Sequence, residues 1–154
     1  MNKSRIPGWL LAGTLAFGLP AAAQAITVSP GMDQAALTAA VADAKAANES
    51  LASIAQALLD AGISPGDVTQ ALLEAGFGAA EVVSTVIGLA GNDATIEVVS
   101  RAAFLTGTSA IEIIRTAALD AGADSGDVEE GLAQAGVNDM KPAAGAPGGV
   151  ASDS

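Results

Sequence analysis

Six glycines, Gly62, Gly76, Gly91, Gly107, Gly122 and Gly136, follow one another at intervals of fourteen, fifteen, sixteen, fifteen and fourteen positions. A period that regular signals a repeat architecture, and it leaves room between glycines for only one short element each. Two residues after most of these glycines comes a helix N-cap candidate, and three residues further on an acid. The pairs are Ser64 with Asp67, Gly78 with Glu81, Ser109 with Glu112, and Asp124 with Asp127; after Gly91 one extra residue moves the acid, Glu97, one place along.

This pattern predicts one helix per unit. A glycine just past a helix end takes the left-handed conformation that stops it, and the next residue, here Ile63, Phe77 or Val137, makes the accompanying apolar contact. The cap side chain accepts a free N–H of the following helix, while the acid opposes the positive end of its dipole. Pro65 occupies a favoured first helical position. Apolar residues at helical spacing fill the units: Val68, Leu72 and Leu73; Val82, Val86 and Leu89; Ile113, Ile114 and Ala117. Helices are expected at 50–61, 65–75, 79–90, 94–106, 110–121 and 125–135, with an alanine-rich helix at 31–47 before them.

Helices this short are marginal alone, so they must stack. With three-residue links, the expectation is an all-α array of six to seven short capped helices, one to each unit of fourteen to sixteen positions, forming a helical-repeat solenoid or a compact bundle. The string Leu59–Gly62 (LDAG) recurs at Leu119–Gly122, and Gly66–Val68 (GDV) at Gly126–Val128, the two matches sharing one offset of sixty positions. Four units thus separate two related helix pairs.

The ends of the chain read differently. Lys3 and Arg5 precede an apolar stretch from Gly8 to Leu19, then Pro20 and an Ala23-Gln24-Ala25 cleavage pattern, which predicts a signal peptide over 1–25. Residues 26–138 form the helical domain, and 139–154, with PAAGAPGGVASDS, lack apolar periodicity and are expected to be a flexible tail. The expected location is the periplasm or the cell exterior. Loss of Lys3 and Arg5 takes the formal charge from −11 to −13, a surface that repels nucleic acids and anionic lipids and attracts cationic partners. No other stretch is apolar for long enough to span a membrane. With no Cys, and with Phe77 and Phe104 the only aromatics after residue 25, stability must come from packed Ala, Val, Leu and Ile.

Chemistry is sparse. The chain has no His, Cys or Tyr, and only Lys45 and Lys141 as lysines beyond residue 25, so the usual acid-base and nucleophilic groups are missing. Asp67, Glu81, Glu97, Glu112 and Asp127 recur once per helix, as capping requires and an active site does not. An EF-hand loop begun at Asp120 fails, because its third, sixth and twelfth places hold Gly122, Ser125 and Gly131; the acids Asp120, Asp124, Asp127, Glu129 and Glu130 read as caps and a solvated face. Arg101 and Arg115 follow Glu97 and Glu112 by one turn, which predicts intrahelical pairs; gripping an anionic ligand is the alternative. Glu81–Leu89 with Val98 and Val99 has the β-branched, low-charge profile of a cross-β segment, and equally that of the most buried helix.

No catalytic, cofactor-binding or metal residue is assigned, and no cofactor is expected. The expected function is non-enzymatic: an exported acidic, alanine-rich interaction or structural module that meets a protein partner or its own copies. The alternatives are a self-assembling extracellular matrix or fibre subunit, and a periplasmic module binding an apolar small molecule in a pocket lined by Phe77 and Phe104.

Overall fold

The computed structural model describes residues 26, 28, 29 and 31–136. These form seven α-helices: α1 (Gln34–Ala46), α2 (Leu51–Asp60), α3 (Pro65–Glu74), α4 (Ala79–Ala90), α5 (Thr95–Thr106), α6 (Ile111–Asp120) and α7 (Ser125–Gln134). Single 3-10 turns, Asn92–Ala94 and Thr108–Ala110, precede α5 and α6, and no strand occurs among the described residues. The expected signal peptide and tail, and with them Val137, lie outside the described residues.

Side-chain caps start four helices. The Asp33 carboxylate accepts the Ala36 N–H at 2.8 Å, the Ser50 hydroxyl the Ser53 N–H at 3.2 Å, the Ser64 hydroxyl the Asp67 N–H at 3.2 Å, and the Asp124 carboxylate the Gly126 N–H at 2.7 Å. Each such cap contributes about 1 kcal/mol. Gly78 stands at the start of α4 with no side chain to offer. Ser109 departs from expectation: it lies inside the second 3-10 turn, and the residue before α6 is Ala110, which makes no side-chain cap. There the turn's own bond, from the Ala110 N–H to the Gly107 carbonyl at 3.4 Å, leads into the helix.

The helix ends fall into two kinds. After α2, α3 and α6 the glycine follows an alanine cap, and the next N–H reaches back over the last turn: Ile63 to Leu58, Phe77 to Leu72 and Ala123 to Ala118, each at 3.1 Å. Asn48, with φ 63°, plays the same part after α1. Gly91 and Gly107 are instead extended with positive φ (φ 87°, ψ 173° and φ 70°, ψ −171°), a region open to glycine almost alone. Every link is four residues, 47–50, 61–64, 75–78, 91–94, 107–110 and 121–124, rather than three, because an alanine cap or a 3-10 turn adds one.

Packing skips a neighbour. Each helix makes its most extensive contact with a helix two places away along the chain: α1 on α3, α3 on α5, α5 on α7, and α2 on α4, α4 on α6. The odd helices form one layer and the even helices the other, which is the solenoid form of the expected array. The core lies between the layers. Val68, Val98 and Val128, equally spaced in sequence on α3, α5 and α7, are all fully buried, as are Ile54 and Ile114 on α2 and α6. Val82, Val83 and Val86 of α4 are fully buried too, and Ile87 nearly so, so the β-branched segment is interior. Ile26 and Val28, before α1, pack against this core.

Candidate functional site

The cations tie helices together. Lys45, at the end of α1, donates to the carbonyls of Ala75 and Gly76, both at 2.9 Å, capping the end of α3, and sits 4.4 Å above the centre of the Phe77 ring. Arg101 on α5 does not pair with Glu97. It reaches α3, donating to Gln70 Oε1 at 2.9 Å and lying 3.5 Å from Asp67 Oδ1. The reason is that Glu97 is already taken: it reaches the start of α3, where Ser64 donates to it at 2.8 Å. Arg115 does pair with Glu112, as its spacing predicts, and also crosses to α7, where its Nε donates to Glu129 Oε1 at 2.8 Å. Glu129 foremost, and Glu112 with it, raise the already high pKa of Arg115 against the opposing effect of partial burial. All three basic side chains among the described residues therefore have partners within the fold.

A hydrogen-bonded chain crosses the odd layer. Arg101 donates to Gln70, Gln70 donates to Glu74 Oε1 at 2.7 Å, and the Thr38 hydroxyl of α1 donates to Glu74 Oε2 at 2.7 Å. Thr38 foremost, then Gln70, hold the Glu74 carboxyl below its ordinary pKa of 4.5.

The capping acids stand apart rather than converging. Asp67 meets Arg101, Glu97 meets Ser64 and Glu112 meets Arg115, while the carboxylates of Glu81 and Asp127 have no hydrogen-bond or ion-pair partner among the described residues. Among these residues no group of three or more acids is arranged to hold a metal ion, the run from Asp120 to Glu130 included. Phe77 and Phe104 do not share a cavity. Phe77 lines a cleft of about 280 Å³ with Leu73 and Leu105, while Phe104, 72% exposed, borders a separate one of about 230 Å³ with Arg101 and Gln134.

A groove of about 580 Å³ opens in the even layer, between α4 and α6. Ala80, Ala117 and Ile113 give it an apolar lining, and Glu81, Glu112 and Asp120 its charge. Ile113 is 53% exposed, a branched side chain facing water where the preceding related helix α2 has Ser53. Helical spacing had placed Ile113 in the core pattern with Ile114; successive residues lie about 100° apart around a helix, and only Ile114 is buried. No helix among the described residues is long and apolar enough to cross a membrane. No protein-family model, curated protein or solved structure matches the chain.

Proposed function

We propose that the protein is exported and works as a non-enzymatic interaction module, whose groove between α4 and α6 receives a cationic, amphipathic segment of a partner protein. The groove carries this reading. Exposed Ile113 with Ala80 and Ala117 offers an apolar contact, and Glu81 and Asp120, with no ion-pair partner among the described residues, flank it with negative charge. An apolar side chain bordered by Lys or Arg complements both features. Because every described cation is committed to a helix–helix tie, the remaining surface charge is acidic. The lack of His, Cys and Tyr and the once-per-helix placement of the acids support a binding role over a catalytic one.

The test has two stages. Expression of the full chain in a bacterium, followed by determination of the N-terminus of the exported product, is expected to give Ile26; retention of the intact chain in the cytoplasm would reject export. Titration of that product with a synthetic peptide carrying lysines around a central leucine, followed by calorimetry, is expected to show binding that weakens with salt. Ile113→Gln and Glu81→Gln each weaken it severalfold. Binding that neither substitution changes would remove the groove from the proposal.

A further inference from the structure

The helix pair α6–α7 repeats the pair α2–α3 at the sixty-position offset, with matching boundaries: Leu51–Asp60 becomes Ile111–Asp120, and Pro65–Glu74 becomes Ser125–Gln134. The inner positions correspond. Ile54 and Ile114, Leu58 and Ala118, Val68 and Val128, and Leu72 and Leu132 are all buried. The two pairs differ where a following pair packs. In the array α4–α5 covers α2–α3, while nothing described follows α7.

Several of the residues that change stand at positions that lose their cover. Fully buried Ala55 becomes Arg115, and fully buried Thr69 becomes Glu129, with side chains 26% and 62% exposed. Helix α3 has α1 behind it as α7 has α5 behind it, so it is the pair α4–α5 that buries Thr69. Ser64, whose hydroxyl meets Glu97 of that pair, becomes Asp124, and Gln70, which meets Arg101, becomes Glu130. The two substituted sites face one another: Arg115 and Glu129 join in the ion pair that bridges α6 and α7.

We infer that α6–α7 is a terminating repeat: its outer face keeps the shape of a stacking surface but is closed to a second copy of the chain by the Arg115–Glu129 pair, with Asp124 and Glu130 beside it. A helix pair seated there as α4–α5 sits on α2–α3 buries both charges, and desolvating an ion pair costs more than its attraction returns unless further hydrogen bonds answer it. An acid brought to that place, as Glu97 is brought to Ser64, meets Asp124 instead of a hydroxyl, so a donated hydrogen bond becomes a repulsion. Repeat arrays need such polar outer faces to remain soluble.

Restoring the interior residues opens the face. The variant Arg115→Ala, Glu129→Thr, Asp124→Ser, Glu130→Gln is compared with the native chain by light scattering coupled to size exclusion over a hundredfold range of concentration. Circular dichroism checks that each is folded. The native chain is expected to keep one monomer mass throughout, and the mass of the variant to rise toward twice that value or beyond. The exchange Arg115→Glu, Glu129→Arg, which keeps the pair, is expected to stay monomeric, and Glu129→Thr alone, which leaves every core residue in place, to associate weakly. A native chain that associates, or a folded fourfold variant that stays monomeric over the whole range, overturns the inference.

Discussion

Thr95 is fully buried at the start of α5, and its hydroxyl has no hydrogen-bond partner. Thr69, equally buried, donates to the Pro65 carbonyl at 2.8 Å. An unanswered buried hydroxyl is a cost that a methyl group of the same shape removes. Thr95→Val is therefore expected to raise stability by about 1 kcal/mol, and Thr69→Val to lower it, both read from urea unfolding midpoints. Glu74 supplies a second prediction. Its folded pKa lies below its ordinary 4.5, so its contribution is full above that value and is lost as pH falls through the lowered one. Glu74→Gln is expected to flatten the loss of stability below pH 4.5, measured by thermal melts across that range. Neither effect is legible in the sequence, because both depend on what lies opposite in space. The same is true of Arg101: Glu97 at i−4 was the natural partner by spacing, and the partner across the layer took its place.

At the scale of the element the sequence is far more readable. The expected helices at 65–75, 79–90 and 125–135 are observed as Pro65–Glu74, Ala79–Ala90 and Ser125–Gln134, since caps and terminating glycines act within a few residues of chain. The link after Gly107 was less legible, because a 3-10 turn leaves no side-chain signature. Two glycines inside helices show what packing adds to propensity. A Cβ on Gly88 of α4 meets nothing within 4 Å, whereas one on Gly131 of α7 comes within 2.9 Å of both the Ile96 carbonyl and Val99 Cβ on α5. Gly88→Ala is expected to stabilise by about 0.5–1 kcal/mol. Gly131→Ala must push α7 off α5, and a net loss of about 1–3 kcal/mol is expected. Chemical denaturation of the two variants side by side checks the opposite signs. From sequence alone the two glycines are alike.

For the whole molecule, the repeat and the need to stack were visible, and the choice between solenoid and bundle was not. That choice depends on which helices touch, and the match between Leu59–Gly62 and Leu119–Gly122 could indicate only that helix pairs recur. The alternation of layers becomes clear once Val68, Val98 and Val128 are seen to occupy the same buried place at equal steps along the chain. The groove between α4 and α6 was hidden for a related reason: its apolar contact is Ile113, which the helical pattern assigns inward together with Ile114.

Internal self-matching also bears on length. A chain whose boundaries recur at one fixed offset can be cut and rejoined there without a seam. Joining Asp60 directly to Ala121 keeps the string LDAG unbroken and brings α7 into the place of α3. Recombination between the matching segments thus shortens or lengthens the array by whole helix pairs and spoils no turn or cap. The join removes Arg115 with α6 and leaves Glu129 beside α2, which carries Ala55 at the matching place, so the extent of the array and the charge of its last face change together.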